Sequence, residues 1–349
     1  MTTEPHKKAP VWLLTLLFSY GALLAALTVL NRLGADRWWF GDFNLYLPQA
    51  VWLAPGIPLA LICLKVAWRW SLVPLFCIAW VLGPIMGFCW PLHRASDSVS
   101  GVPLRVMTWN VHHGEHDQLA VLALIHDIDR NQPDVVFIQA TGNLLKGPLG
   151  SYFRNWNVQS QGEHVIASRI PLVKVADPAV PVPGKTAECL RCRVRVGSTL
   201  TTLYSVHFES PRVGLGSMMA ARKNLSSVSD SIGMLGRNVF TRFNQSMLVS
   251  ELVRQEKGPV IVAGDFNSTD SSVACANLRD AGLHDSFAEG GRGYGYTYGH
   301  FLRPELRYSW MRIDHVMMSS QFSSRRSWTG TWEASDHRPV IADLVLAQN

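Results

Sequence analysis

Hydrophobic residues are distributed very unevenly along the chain. Three stretches, at residues 11–30, 45–64 and 71–92, are dominated by Leu, Ala, Val, Ile and Trp and contain no charged residue. Each has about the 20 residues that a helix needs to cross a bilayer. Because three such stretches in succession are rare in soluble folds, the pattern predicts a membrane anchor over residues 1–92 with three transmembrane helices.

Two other interpretations of these stretches stay open from the sequence. All three would also suit buried core helices of a globular protein. The first, which follows Lys7 and Lys8, has the charged start of a cleaved signal peptide. The second is the weakest span because Pro48, Pro55 and Pro58 interrupt it, although neighbouring helices can satisfy the backbone groups that a proline frees.

The rest of the chain alternates between strand-like and helix-like patterns. A polar linker at residues 93–103 is followed by apolar runs typical of strands and by helical periodicity. Strands are predicted near 104–110, 134–139, 163–167, 188–196, 201–207, 260–263, 312–318 and 340–346, and helices at 118–131 and over most of 216–255. This order predicts a domain at residues 104–349 with the fold of a four-layer α/β sandwich, in which helices flank two packed β-sheets.

The distribution of Lys and Arg predicts which side of the membrane carries this domain. With the N-terminus inside, the inner side holds Lys7, Lys8, Lys65 and Arg69, and the outer side holds Arg32, Arg37 and Arg94. The small excess of positive charge on the inner side favours that orientation. We therefore expect a multi-pass protein of the cell (inner) membrane with its C-terminal domain on the periplasmic or extracellular side.

Charge and cysteine content narrow the function classes. The formal net charge of +6 comes from 32 basic and 26 acidic residues, which is too small an excess for a dedicated nucleic-acid-binding protein. Cys189 and Cys192 have the spacing of a redox or zinc pair, but no second pair accompanies them. They fall in a predicted strand, where positions three apart point to opposite faces, so we predict a structural role.

Polar residues follow several of the predicted strands. They occur in four runs: Thr108-Trp109-Asn110-Val111, Gly264-Asp265-Phe266-Asn267, Arg312-Ile313-Asp314-His315 and Ser335-Asp336-His337-Arg338-Pro339-Val340. Taken singly, each run also suits an ordinary turn or helix cap. Taken together, they supply oxygen ligands for Mg²⁺, a base for water and an imidazole for a phosphate, which predicts a metal-assisted phosphoester-cleaving site.

These runs, in this order, resemble the endonuclease/exonuclease/phosphatase superfamily. Its members include deoxyribonuclease I-like nucleases, abasic-site endonucleases, neutral sphingomyelinases and inositol-polyphosphate phosphatases. Further matching motifs are Pro133-Asp134-Val135-Val136, Ser168-Arg169 with Pro171, and a histidine at a strand end, His207. The resemblance covers residues 104–346 and implies a divalent-metal-dependent phosphoester hydrolase.

The resemblance also implies roles for individual residues. Asp336 and Asn110 are expected to hold Mg²⁺, with Mn²⁺ as an alternative ion. The expected catalytic residues are Asp265 as base, His337 at the phosphate, Asp314 behind His337, and Asn267 and His207 as phosphate contacts. A carboxylate behind an imidazole fixes which ring nitrogen carries the proton. Arg312 is expected to add positive charge to the substrate site.

One position departs from the family pattern. The family expects a strand that ends in Leu-Gln-Glu, whose glutamate binds Mg²⁺, but here Ala140 follows Gln139. Alanine has no ligand atom, so metal binding and rate should both be lower. Three explanations stay open: a variant made inactive, another acid such as Glu163 or Glu115 in place of the glutamate, or a natural pseudoenzyme. His112, His113 and His116 are interpreted as loop histidines near the site, with zinc binding as the alternative.

Two substrate classes stay open from the sequence. A nucleic-acid phosphodiester is the first expectation, and a phospholipid of the sphingomyelin type is the second. The basic excess over residues 220–257 is modest, and aromatic residues at 240, 243, 294, 296, 298 and 301 suit a membrane, stacked bases or packing equally. A membrane-tethered binding module without activity is the non-enzymatic alternative. No protein partner can be inferred.

Overall fold

A computed structural model of the chain describes residues 9–91, 100–111, 117–173, 175, 179–181, 188–221, 228–299 and 308–348. The loop histidines at 112, 113 and 116, Glu115 and Phe301 lie outside the described residues. The expectations for them therefore stay predictions.

The N-terminal part consists of helices joined by short turns. The α-helices are α1 (Val11–Arg32), α2 (Trp39–Tyr46), α3 (Leu53–Val66) and α4 (Leu72–Trp80), and a π-helical turn follows at Val81–Ile85. Three segments are long and apolar enough to cross a membrane by length and composition: Val11–Arg32, Gln49–Val66 and Trp68–Ile85. Large apolar side chains on them, such as Phe18, Leu64 and Phe76, are exposed, as expected for helices that face lipid.

The boundaries of the second and third spans differ from the predicted 45–64 and 71–92. Leu45 and Tyr46 end α2, a separate short helix, and both of these side chains are buried. The second apolar segment begins at Gln49, after Pro48. Tyr46 belongs to an apolar cluster with Trp310, Met311 and Ile313 of the C-terminal domain. The apolar run continues into residues 45–47 because those side chains pack on protein, which composition alone does not distinguish from packing on lipid.

Two mixed β-sheets form the centre of the C-terminal domain. The strands are β1 (Gly101–Asn110), β2 (Val135–Gln139), β3 (Asn157–Gln161), β4 (His164–Ser168), β5 (Leu172–Val173), β6 (Ala179–Pro181), β7 (Glu188–Val196), β8 (Thr199–His207), β9 (Val260–Asp265), β10 (Leu283–Asp285), β11 (Asp314–Ser319), β12 (Phe322–Thr329) and β13 (Val340–Ala347). One sheet has the order β12-β13-β1-β2-β4-β3, and the other β10-β11-β9-β8-β7-β5, with β6 beside β7.

Helices cover the outer faces of both sheets. They are α5 (Gln118–Asn131), α6 (Pro148–Tyr152), α7 (Arg212–Ala221), α8 (Val228–Gln255), α9 (Val273–Asp280) and α10 (Ser286–Gly290). The inner faces pack on each other through Phe137, Leu203 and Ile261, which are fully buried. This arrangement confirms the predicted four-layer sandwich. The predicted helical stretch at 216–255 is described as two helices, α7 and α8.

The cysteine pair behaves as the strand pattern predicts. Cys189 and Cys192 both lie on β7, but Cys189 packs in the core under α8, whereas Cys192 packs between the two sheets. Burial raises the pKa of the Cys192 thiol to about 12. Both cysteines are buried and neither forms a disulfide with another described cysteine, so they contribute packing.

Strand directions bring the polar runs to one edge of the sandwich. β8 and β9 are parallel, so their last residues, His207 and Asp265, lie side by side. β11 is antiparallel to β9, and its first residue, Asp314, pairs with Asp265. β13 is antiparallel to β1, so the residues before β13 return to the edge where β1 ends at Asn110. Residues far apart in sequence therefore meet at the ends of five strands.

Candidate active site

Asp265 lies between two histidines at this edge. Its Oδ2 atom is 3.6 Å from Nε2 of His207 and 3.8 Å from Nε2 of His337. The Nδ2 group of Asn110 donates a hydrogen bond of 2.8 Å to the same oxygen. Asp265 is 1% exposed, so its interactions with these groups are screened little by solvent.

Each of the two imidazoles is held from behind by a second carboxylate. Nδ1 of His337 lies 2.9 Å from Oδ2 of Asp314, and Nδ1 of His207 lies 2.8 Å from Oε1 of Glu163. A carboxylate in this position fixes the ring orientation and leaves Nε2 directed at the opposite group. Two carboxylate–histidine pairs therefore converge on Asp265.

The buried charges shift the protonation of this centre. Burial disfavours the imidazolium of His337, but the negative charges of Asp314 and Asp265 outweigh burial and raise its pKa to about 9. The pKa of His207 is raised in the same way: burial opposes the charge, and Glu163 and Asp265 favour it. Burial also raises the pKa of Asp265, and the neighbouring Asp314 adds to that effect. The centre thus combines a cationic imidazole at neutral pH with a carboxylate that binds a proton more readily than usual.

The Gly-Asp-Phe-Asn run has a defined backbone geometry. Gly264 has a φ of +152°, and a Cβ atom there would lie 1.8 Å from the carbonyl oxygen of Val206, so only glycine permits this approach of β9 to β8. Asn267 has a φ of +47°, a conformation that asparagine tolerates better than most residues. Its backbone amide donates to Oδ1 of Asp265 at 2.7 Å, and its side-chain Nδ2 donates to the Phe208 carbonyl at 2.9 Å.

The segment between the first two apolar helices reaches this site. The hydroxyl of Tyr46 donates a hydrogen bond of 2.5 Å to the carbonyl oxygen of Asn267. The indole of Trp310 donates to the Tyr46 carbonyl at 3.1 Å. No sequence motif indicated Tyr46, because its role depends on a contact between residues more than 200 positions apart.

A cavity of about 230 Å³ opens above the two histidines. Its polar side carries Asn110, His207, Arg212, Asp265, Asn267 and His337. Its other side is apolar and consists mainly of Tyr46, Val213, Leu215, Trp310, Met311 and Ile313. The reactive groups therefore face a space that is polar on one side and apolar on the other.

Arg212 is a cationic site residue that the sequence did not single out. Its Nη2 group donates to Oδ2 of Asp336 at 3.0 Å and to the Tyr298 hydroxyl at 2.9 Å. The ring of Tyr298 lies 4.6 Å from the His337 imidazole, measured between centroids. The available signal was its position at the start of α7, just after Pro211 and the loop that follows β8. Arg212 places a permanent positive charge at the rim of the cavity.

The residues predicted to hold Mg²⁺ do not fit that ion as they stand. Ala140 offers no ligand atom, Asn110 directs its amide nitrogen at Asp265, and Oδ2 of Asp336 is bound by the guanidinium of Arg212. Mg²⁺ in proteins is usually held by one or two carboxylates with water and phosphate. Asp265, Asp314 and His337 form an acidic and histidine group that could hold a divalent ion.

Arg312 lies away from the cavity. It forms ion pairs with Asp270 and Asp285, and His315 pairs with Asp285 through Nδ1 at 2.8 Å. The charge of Arg312 and the hydrogen bond from His315 lower the pKa of Asp285, although burial opposes this. This second acid–histidine cluster neutralises itself internally, and it supports the loop after Asn267 through a contact of 3.0 Å between His315 and the Ser268 carbonyl.

Six of the nine predicted site residues form the centre around Asp265, and the other three lie at the cavity rim, at the end of β2 and in the second cluster. Those that meet are Asn110, His207, Asp265, Asn267, Asp314 and His337. Asp336 lies at the rim with Arg212, Arg312 lies in the second cluster, and Ala140 precedes Thr141, which bonds the Glu163 carbonyl at 3.1 and 3.2 Å. Glu163, weighed from sequence as a substitute metal ligand, lies against His207 instead.

Comparison with known proteins agrees with this geometry. A family model described as the endonuclease/exonuclease/phosphatase family matches residues 107–337. No curated protein sequence gives a significant match. Similar folds occur in humanised D. rerio TDP2 (18% identity, TM-score 0.51, covering 69% of this chain and 98% of that chain). They also occur in an endonuclease/exonuclease/phosphatase family protein from Bacteroides thetaiotaomicron (15%, 0.52, 71% and 100%).

A further similar structure is D. rerio TDP2 complexed with a single-strand DNA product (20% identity, TM-score 0.50, covering 69% of this chain and 98% of that chain). At these identities the solved structures show a shared fold, and the family match confirms the resemblance that the motifs indicated.

Proposed function

The chain belongs to the endonuclease/exonuclease/phosphatase family, and from that premise we propose that it is a membrane-anchored phosphoester hydrolase. The observation that carries the proposal is the convergence of the His337–Asp314 and His207–Glu163 pairs on Asp265. This arrangement joins an acceptor for a proton from water to two donors for phosphate oxygens.

The proposed reaction uses these groups in fixed roles. Asp265 orients a water molecule and accepts its proton as the water oxygen bonds to phosphorus. His337, held cationic by Asp314, donates to a phosphate oxygen and stabilises the charge that develops there. The bond from phosphorus to the leaving oxygen breaks, and that oxygen takes a proton from the His337 imidazolium. Asn267 and His207 hold the remaining phosphate oxygens.

Whether the hydrolysis depends on a divalent cation is a separate part of the proposal, to be measured. The family resemblance implies Mg²⁺, with Mn²⁺ as the alternative, but the predicted ligand set lacks a glutamate at 140 and shares Asp336 with Arg212. We therefore expect either weak stimulation by these ions or none. The roles given above to Asp265 and the histidines do not depend on the ion.

Nucleic acid and phospholipid are both phosphodiester substrates that such a centre can cleave. Nucleic acid was the first expectation from sequence. The apolar side of the cavity is the specific observation that favours the phospholipid alternative, because a sugar–phosphate backbone offers little to apolar side chains such as Leu215, Trp310 and Ile313.

We also propose that the domain lies on the membrane surface, outside the cytoplasm. If each of the three candidate spans crosses the membrane, the segment after the first span and the domain after the third span lie on one side. The contact of Tyr46 with Asn267 requires the same arrangement. The excess of Lys and Arg near the N-terminus favours the cytoplasm for the opposite side.

A substrate panel tests the proposed function. The full chain in detergent would be assayed on single- and double-stranded DNA, RNA, sphingomyelin and phosphoinositides, with Mg²⁺, Mn²⁺ or a chelator. Asp265→Ala and His337→Ala variants run in parallel. We expect hydrolysis of at least one substrate class and its loss in both variants. Hydrolysis that survives both substitutions would contradict the mechanism, and no hydrolysis of any substrate would favour the binding module.

A further inference from the structure

The apolar side of the cavity is a single packed cluster shared by two parts of the chain. Tyr46 comes from the segment between the first two apolar helices, and Trp310, Met311 and Ile313 come from the strand-rich domain. These four side chains are at most 8% exposed, and Leu215 and Tyr298 pack against them. The wall is therefore preformed and does not require a mobile loop to close.

Buried polar contacts attach the segment that carries Tyr46, residues 33–48 between the first two candidate spans, to the strand-rich domain. Arg242 on α8 forms an ion pair of 2.7 Å with Asp42, and both side chains are almost fully buried. Asp36 accepts hydrogen bonds of 2.9 and 3.1 Å from the backbone amide of Val273, at the start of α9. Because these contacts lie on both sides of Trp38, the whole segment is attached to the domain.

The end of the third apolar segment is attached to the same rim. The hydroxyls of Tyr294 and Tyr296 donate to the carbonyls of Leu82 and Met86 at 3.0 and 2.9 Å. Cys89 forms a backbone bridge with Gly293. The loop that carries these tyrosines continues to Tyr298, which lies on His337. One segment that enters the candidate spans thus lines the cavity at Tyr46, and a second is attached to the loop that reaches the cavity at Tyr298.

The described residues of the cavity supply little positive charge for a nucleic-acid backbone. Among the described residues that line it, Arg212 alone carries a permanent positive charge, and this charge is paired with Asp336. Proteins that follow a nucleic-acid strand use several cationic groups along a groove. The apolar cluster beside the polar groups around Asp265 suits a substrate that carries an apolar group next to its phosphate.

We infer that the site selects phosphoesters that carry an apolar group, and that Tyr46, Leu215 and Trp310 determine this specificity. The phosphate lies against Asp265 and the histidines, and the apolar group lies against the wall. The inference rests on the proposed phosphoester hydrolysis and names its substrate class. The apolar group can belong to a bilayer lipid or to a dissolved alkyl phosphoester, since both present the same chemistry.

Two probes that differ only in an alkyl chain test this inference. 4-Nitrophenyl methyl phosphate and 4-nitrophenyl octyl phosphate release the same leaving group, and both would be kept below the micellar concentration. Each methylene that becomes buried is worth roughly a factor of four in affinity. We expect the full chain to hydrolyse the octyl ester with a kcat/KM at least about tenfold higher, mainly through a lower KM.

Variants of the wall separate specificity from general damage. Tyr46→Ser and Leu215→Ser should bring the octyl-to-methyl ratio of kcat/KM towards one. Phe240→Ser is the matched control, because Phe240 is an exposed apolar residue on α8 that does not line the cavity. We expect it to leave the ratio unchanged.

The possible outcomes separate this inference from the proposed function. Hydrolysis of both probes at rates within about twofold of each other, or faster cleavage of a single-stranded oligonucleotide, would overturn the inference and leave the hydrolase intact. Hydrolysis of none of the substrates would overturn both. With the octyl preference established, cleavage of phosphatidylglycerol in vesicles would identify bilayer lipid as the source, and its absence would identify a dissolved ester.

Discussion

The Tyr46 hydroxyl donates a hydrogen bond to the Asn267 carbonyl, which joins the N-terminal helical part of the chain to the candidate active site. Asn267 has a positive φ, and its backbone amide donates a hydrogen bond to the Asp265 carboxylate. A shift of the segment that carries Tyr46 would therefore reach the Asp265 carboxylate through two hydrogen bonds. The N-terminal helical part thus contributes to the candidate site.

Removal of the Tyr46 hydroxyl should lower the rate of hydrolysis. In Tyr46→Phe the wall keeps its shape, but the buried carbonyl of Asn267 loses its donor, which costs about 1–3 kcal/mol. If about 1.4 kcal/mol of this cost reaches the transition state, kcat falls roughly tenfold. Steady-state kinetics on the octyl probe would measure kcat and KM separately, and the fall should appear in kcat.

Tyr20→Phe is the control for that substitution. The Tyr20 hydroxyl donates to the Trp52 carbonyl within the apolar helices at 2.7 Å, remote from Asp265. It should leave kcat unaltered. Equal losses of kcat in both variants would show that the effect of Tyr46 is a general loss of stability.

Loss of the Asp42 carboxylate should strongly destabilise the full chain. Burial raises the pKa of Asp42 to about 6, against the opposing charge of Arg242, so the pair is ionised above that pH. Asp42→Ala leaves the buried guanidinium of Arg242 without its partner, which costs about 3–5 kcal/mol. Thermal unfolding in detergent at pH 8 would measure it. Glu251→Ala, which breaks an exposed pair with Arg254 on the same helix, should change stability by about 0.5 kcal/mol or less; equal effects would contradict the proposed attachment.

The activity should fall on the alkaline side as His337 loses its proton. The pKa of His337 is about 9 because the negative charges of Asp314 and Asp265 outweigh burial. Asp314→Asn removes one of those charges, so the pKa falls and the alkaline limb of the pH–kcat/KM profile moves to lower pH by about one pH unit or more. An alkaline limb that stays in place in Asp314→Asn would exclude His337 as the titrating group.

A glutamate at position 140 should restore dependence on Mg²⁺. Ala140 already adopts a φ of +55°, so Ala140→Glu adds no new backbone strain. One charge-assisted contact of about 1.5 kcal/mol corresponds to roughly a tenfold gain in Mg²⁺-stimulated activity. Ala140→Gln, which has nearly the same shape without the charge, is the control. If Ala140→Glu leaves both activity and Mg²⁺ affinity unaltered, position 140 is not the missing ligand position.

The fold and the centre of the site could be predicted from sequence because local patterns determine them. Apolar runs identify β1, β2, β9 and β13, and the polar residues that follow strands, such as Asp265, mark the edge where those strands end. The order of the motifs, which resembles that of the family, then indicated that Asp314 lies behind His337. The short or polar strands β3, β10 and β12 have no such pattern.

Contacts that depend on tertiary placement were beyond the sequence. Arg212, Glu163 and Tyr46 have no motif, and their roles come from partners at Asp336, His207 and Asn267. Arg312 stands in a family motif, yet two nearby carboxylates hold it outside the cavity. Charge pairing in three dimensions decided these positions.

The most direct measurement compares Asp265→Asn with Asp270→Asn in hydrolysis of the octyl probe. The two acids belong to the two acid–histidine clusters of the domain, Asp265 with His337 and Asp270 with His315. Loss of the base at Asp265 should lower kcat/KM by about 10²–10⁴-fold, whereas Asp270→Asn should lower it by less than about threefold, because Asp270 contributes to structure through Arg312. Equal activity of Asp265→Asn and the unsubstituted chain, or a larger loss in Asp270→Asn, would contradict the assignment of the active site.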